Sequence, residues 1–417
     1  MNFFIFLNKI KILVKFSVVI FFSFSTIPVL LIIYLISPFF LVRFKNLRSE
    51  RIGHFVANTE LYLCEKKKKI NTPKQNYIDL CFCNDICNQQ LLSMWKRKIS
   101  IFPKWTLYNF FIVNKFLSKF LKFANKHEIP DSSSDRDIYD LLETSEPNLQ
   151  FTAKEEKLGE NLLKKLNLQI NSKFVILAVR DNTYLESKYP NQNWSYHDVR
   201  NQNLDNFILA IDEIVKRGYY VIRVGGTSQS KKLKYSNPKV IDYTHSKFRN
   251  DFLDIFLGAK CEFCISSGFG LDAVPRIFRK PIISILLAPI DIHTELSSQI
   301  TILRPYFDIR ERKKLTLDQM LNIKIATIMN GYEFSAAGIK VLENTPEEIR
   351  DVTIEMMDRL EGKWVEKSSD ESLQKFFWQR FDDMHKSYIK KTGRKVHGTL
   401  KGKIGANFLR KNFKKND

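Results

Sequence analysis

Six cysteines in 417 residues are too few for a disulfide-built scaffold. Cys81 and Cys83 lie two apart in one β-type run that ends near Cys87, and Cys261 and Cys264 straddle another run. They read as buried apolar thiols rather than zinc ligands. The chain has no internal repeat and no G-x-S-x-G nucleophile elbow, and its D-x-D match, Asp135-Arg136-Asp137, falls in a polar linker. Neither a metal nor a cofactor is therefore expected. Acidic residues are absent from residues 1–48. What is present is globular: 44% hydrophobic and 27% charged residues exclude wholesale disorder or a collagen-like fibre. The length exceeds what one core usually organises, so two folded domains are expected.

The net charge of +21 is unevenly placed. Residues 1–48 carry six Lys/Arg and residues 385–417 carry eleven against one Asp, which leaves only +5 for the body. Between Lys15 and Arg43 run 27 uncharged residues, FSVVIFFSFSTIPVLLIIYLISPFFLV. That length suits a bilayer core, and Pro28 and Pro38 leave a kinked span and a re-entrant hairpin both open. Membrane attachment is expected, with anionic headgroups as the counterpart of the basic ends. The body offers no nucleic-acid module, so no nucleic acid is expected as a partner.

The remaining organisation is α/β. Residues 1–48 form the basic N-terminus with the membrane segment, and 49–150 a small α/β domain with its linker. Residues 151–345 form a second α/β domain, and 346–417 the C-terminal helices and a basic tail. In the first domain, 77–83 and 99–102 read as strands and 86–98 as a helix; 109–126 reads as an amphipathic helix with one Lys-rich side, which either packs on the core with that side solvated or lies on an anionic membrane surface. Thr152-x-x-Glu155 and Thr345-Pro-Glu-Glu348 are capping boxes that open helices. From Lys173 onward, apolar runs (174–179, 219–224, 239–243, 261–266, 281–287) alternate with helical patterns (204–218, 250–259, 269–278). Such alternation implies right-handed crossovers and a doubly wound parallel sheet. Ligands of these sheets sit beyond the carboxyl ends of the strands.

Three strand ends carry matching chemistry. The first delivers Arg180-Asp181 into a polar loop with Tyr184, His197 and Arg200. An Arg there is placed to fork onto a phosphate, and a carboxylate or imidazole to take a proton. The second ends in Arg223-Val-Gly225-Gly226, whose glycines let backbone approach a ligand, although neither Walker nor dinucleotide spacing follows. The third ends in Ser266-Ser267-Gly268-Phe269-Gly270 before a helix. Together they suit a diphosphate.

The ordered stretch VRD, HDVRN, GYYVIRVGG, VIDY and RNDFLDIFLGAKCEFCISSGFGLDAVPRIFRKPII resembles a family of bacterial glycosyltransferases with a GT-B arrangement, of the surface-polysaccharide type. RIGHF (51–55) and GKIGANFLR (402–410) are weaker echoes. More distantly, the donor strands resemble fucosyltransferase-like enzymes. The resemblance implies two Rossmann-like domains and a hexosyl- or deoxyhexosyltransferase; because nucleotide sugars are made in the cytosol, the cytoplasmic face of the inner membrane is the expected location. It implies a nucleotide-sugar donor and a glycan or lipid-linked acceptor, with the domain 49–150 on the acceptor side. Arg180, Arg223, Ser266, Ser267 and Gly268 would grip the pyrophosphate, with Tyr184, Arg200, Gly225, Gly226 and Gly270 around it. Asp242 or Tyr243 would touch the nucleoside, and Asp181, His197 or His54 would serve as base. Phe269 departs from the pattern, which has a smaller residue there. Two other readings share the scaffold: a pyruvyl transferase of surface-sugar synthesis, and a non-catalytic membrane-bound polyanion binder.

Overall fold

The uncharged run after Lys15 is not helical at its end. The computed structural model describes residues 26–131, 135–169, 171–188 and 190–413, so the first part of the expected membrane segment lies outside the described residues. A helix, α1, covers 26–36; a turn at 37–39 follows, and Phe40 opens a strand. Pro38 disfavours helical backbone in the residue before it. The expected segment is thus corrected at its C-terminal end: its last three residues belong to a sheet. Among the described residues no helix is long and apolar enough to cross a membrane.

The chain divides into two units, Met1–Ser134 and Asp135–Asp417. In the first, β1 (Phe40–Leu47), α2 (Ile52–Lys67), β2 (Asn76–Cys83), α3 (Gln89–Lys96), β3 (Ile101–Phe102) and α4 (Lys104–Leu117) follow in order. The three strands pair in parallel in the order β1-β2-β3, with Phe44 opposite Leu80. Expected helix 109–126 instead starts at Lys104, directly after Pro103, and stops at Leu117; a 3₁₀ turn covers Lys122–His127. The buried Arg43–Asp79 ion pair, 2.8 Å, links β1 to β2 and is joined by Tyr62 and Lys66.

The second unit realises the alternation read from the sequence. Its elements are α5 (Ala153–Lys165), β4 (Phe174–Ala178), α6 (Thr183–Lys188), α7 (Ile208–Lys216), β5 (Tyr220–Val224), β6 (Val240–Asp242), α8 (Asp251–Lys260), β7 (Phe263–Ser266), α9 (Ala273–Ile277), β8 (Ile282–Leu286) and β9 (Ile300–Leu303). A small antiparallel sheet (β10, Tyr306–Asp308; β11, Lys313–Lys314; β12, Ile339–Val341) precedes the helices Pro346–Leu360 and Ser368–Thr392. Both capping boxes are present, at Thr152/Glu155 and Thr345/Glu348.

Seven strands form one parallel sheet in the order β13-β9-β8-β7-β4-β5-β6, where β13 is Lys403–Ile404. Successive side chains of a strand point to opposite faces, and both faces are covered here. Val175 and Leu177 join the core under α7 and the C-terminal helices, while Phe174, Ile176 and Ala178 join the core under α5 and α8. The basic tail is likewise corrected through residue 413. Lys403–Ile404 pairs with β9, and the helix Ala406–Asn412 docks through Ala406 N–H to Glu355 (2.7 Å) and through Arg410 to Asp370. Its cations lie on folded elements because apolar Ile404, Phe408 and Leu409 bury themselves.

Candidate active site

Strand β4 pairs with β5 on one side and β7 on the other, so the sheet order reverses beside it. Connections leave in opposite directions at such a switch point and open a crevice at the carboxyl ends. Two bonds stitch the rim of that crevice. Ser267 N–H donates to the Ala178 carbonyl (3.0 Å), and Arg180 N–H donates to Ser267 Oγ (2.7 Å). Arg180 and Asp181 are half-buried there, as is Gly268.

The turn after β7 is held from within. Gly268, with φ +77°, donates its N–H to Ser266 Oγ (3.1 Å), and the Ser266 hydroxyl donates to Asp272 Oδ2 (2.6 Å). Ser266 is fully buried, so it shapes the turn, whereas Ser267 keeps a hydroxyl proton to donate. Burial raises the Asp272 carboxyl above the usual carboxylate range, opposed by His293 and the Ser266 bond.

The turn after β5 explains Phe269. Gly225 has φ +85°, and a Cβ there would stand 2.6 Å from the Phe269 ring. The large ring fills the space left by the missing side chain. Gly226, φ +64°, lies against Ser230 in the same way. The two glycine carbonyls are also engaged: Thr244 donates to Gly225 O (2.8 Å) and Arg249 to Gly226 O (3.0 Å).

Arg223, Asp242 and Tyr243, expected to touch the donor, are instead committed to the protein. Arg223 is buried; its Nη1 donates to Lys231 O (2.6 Å) and to Asp242 Oδ2 (3.1 Å). The same carboxylate accepts from Leu233 N–H (2.9 Å) and lies 3.0 Å from His245 Nδ1. This cluster clamps the loop 225–233. Tyr243 is fully buried, exchanging bonds with Asn250, and burial pushes its phenol far above the ordinary value.

The remaining candidates scatter. Asp181 Oδ1 accepts the Thr183 hydroxyl (2.7 Å), and its other oxygen lies 3.9 Å from Arg223. Tyr184 is exposed on α6, and Gly270 is exposed on its turn. His197 packs between the rings of Trp194 (5.9 Å) and Tyr196 (4.1 Å). Arg200 donates to the Met329 carbonyl (3.1 Å). His54 belongs to the first unit, on α2, 3.4 Å from Asn58 Oδ1. The structure therefore brings together Arg180, Asp181, Gly226, Ser267 and Gly268, joined by Thr183, Ser230, Arg249 and Asp272, which the sequence reading missed. One signal pointed there: Gly268-Phe-Gly270-Leu-Asp-Ala273 has G-x-G-x-x-A spacing between a strand and a helix. Among the described residues no group of three or more His, Cys, Asp or Glu side chains is placed to hold a metal ion. Burial pushes the Cys261 thiol up to about 12, as befits an apolar thiol. An arginine beside a small-residue turn at a sheet's carboxyl edge can hold a diphosphate and stabilise it as a leaving group.

No family model matches the chain, and no curated protein matches it. Solved structures similar to it include a family 9 glycosyl transferase from Veillonella parvula (TM-score 0.46, 11% identity, 77% of this chain and 96% of that one). They also include the E. coli ADP-heptose lipopolysaccharide heptosyltransferase II (TM-score 0.37, 13% identity, 63% of this chain and 90% of that one). E. coli heptosyltransferase WaaC is another (TM-score 0.33, 12% identity, 63% and 94%). The fucosyltransferase-like likeness of the donor strands gains no support from them.

Proposed function

We propose that the chain is a membrane-attached glycosyltransferase whose second unit binds a nucleotide-activated sugar at the β4/β7 switch point. The observation that supports this most is the stitched rim there, which sets Arg180 and the Ser267-Gly268 turn side by side. In this reading the Arg180 guanidinium forks onto the donor diphosphate and the Ser267 hydroxyl donates to it. Arg223 and Asp242 position the Gly225-Gly226 turn without touching the ligand. Positive charge from Arg180, rather than a divalent ion, balances the leaving nucleoside diphosphate. The acceptor is a glycan or lipid-linked sugar, served by the first unit, at the cytoplasmic face where nucleotide sugars are made. Asp181, His197 and His54 are the candidates for accepting the acceptor's hydroxyl proton.

The test is calorimetric titration of the full chain with a panel of nucleoside diphosphates. One of them binds, and Arg180→Ala weakens it by roughly tenfold or more, the loss of a charge-assisted fork. Absence of binding by the whole panel, or equal binding by the variant, overturns the donor site.

A further inference from the structure

The membrane attachment in this reading has no surface assigned to it, and the first unit carries one. On α4 the exposed large side chains are Trp105 (81%), Ile112 (37%) and Phe116 (58%), spaced seven and four residues apart on one face. Phe120 (70%) and Phe123 (49%) extend the stripe past the helix end. Helix α1 packs beside α4: Leu30 and Leu107 share one core, and the Tyr34 hydroxyl donates to Asn114 Oδ1 (2.8 Å). Its outward residues Leu31, Ile32 and Leu35 are 54%, 58% and 77% exposed. A helix apolar on every side belongs in a core or a membrane, and this one is left largely uncovered.

Along the chain between Asp85 and Glu128, which builds α3, α4 and the turn after it, the charge has one sign. Residues 86–127 hold eight Lys/Arg and no Asp or Glu. Lys115, Lys119, Lys122 and Lys126 are all exposed along the same helix and turn. The chain entering α1 is uncharged for the ten residues after Lys15.

We propose that this face of the first unit, built from α1, α4 and the turn Lys122–His127, lies on an anionic lipid bilayer. Aromatic and aliphatic side chains sink to the headgroup level, Trp favours that depth, and the lysines meet acidic headgroups. A second copy of the chain is a poor occupant, because two such faces would oppose Lys115, Lys119, Lys122 and Lys126 with the same four lysines. The inference rests on the membrane attachment in that reading but not on sugar transfer: nucleotide titration tests one in solution, and lipid contact tests the other.

Tryptophan emission of the full chain reads the contact, using vesicles of phosphatidylglycerol and phosphatidylethanolamine with brominated acyl chains. Of the five tryptophans, Trp105 is the one on this face. Brominated vesicles quench the emission, and Trp105→Phe removes about half or more of that quenching, because Trp lies at the membrane interface. The triple variant Lys115→Gln, Lys119→Gln, Lys122→Gln lowers Trp105 quenching roughly tenfold, and 0.5 M salt acts alike. These residues are exposed, so the variants keep the native melting temperature. Unchanged quenching in Trp105→Phe overturns the proposal, as does equal quenching by neutral phosphatidylcholine vesicles. So does an emission shift that follows protein concentration without lipid, the mark of a second copy.

Discussion

Gly225 and Phe269 are a matched pair whose logic is steric. Gly225→Ala sets a Cβ 2.6 Å from the ring at φ +85°. It should cost about 2–3 kcal/mol by thermal melting, and Phe269→Ala in the same chain should recover part of that. The remainder, owed to the positive φ, should persist. Asp254 offers a pH test. Burial pushes it up to about 6, so the folded chain favours its protonated form. That stabilisation is complete below the unfolded value near 3.8 and is lost as pH rises through about 6. Asp254→Asn should flatten the melting temperature between these limits and stabilise the protein at pH 7 by about 2 kcal/mol. The sequence placed Arg180 and Arg223 alike at strand ends. It did not show that Arg223 turns inward, because burial depends on the 225–233 loop folding back through Lys231 and Leu233.

Among elements, the apolar strands and both capping boxes were readable, since continuous β-branched runs and Thr-x-x-Glu spacing are local signals. The short pairings were not. β3 and β13 contain two residues each, and their pairing is decided by the neighbour that each finds. The end of the uncharged N-terminal run was hidden for a related reason: its last residues gain more by pairing with β2 than by continuing a helix. The β5–β6 clamp belongs to this scale too. Asp242→Ala removes the nearer carboxylate of buried Arg223 and leaves only Asp181, 3.9 Å away, so it should cost about 3 kcal/mol. Amide exchange should quicken across residues 225–233 before it does in β5, which stays paired on both sides. Uniform acceleration through the unit would contradict a clamp.

For the whole molecule, alternation of strands and helices predicted a parallel doubly wound sheet, and the order around β4 follows from two sets of crossovers running apart. Nothing local in the last residues announced a seventh strand, because their lysines masked the apolar Ile404, Phe408 and Leu409. Truncation after Gly402 should therefore do more than remove charge. It strips β9 of its edge partner, Glu355 of the Ala406 N–H and Asp370 of Arg410, so the melting temperature should fall by several degrees or more. A shortened chain that melts like the parent would return these residues to the status of a loose appendage.

The same strand sets a timetable. β13 follows β9 by about a hundred residues of chain. A nascent polypeptide on the ribosome therefore displays the open edge of β9 long before its partner is translated. Closure of this sheet is a late, long-range event. In the interval, a chaperone or a neighbouring nascent chain competes for that edge.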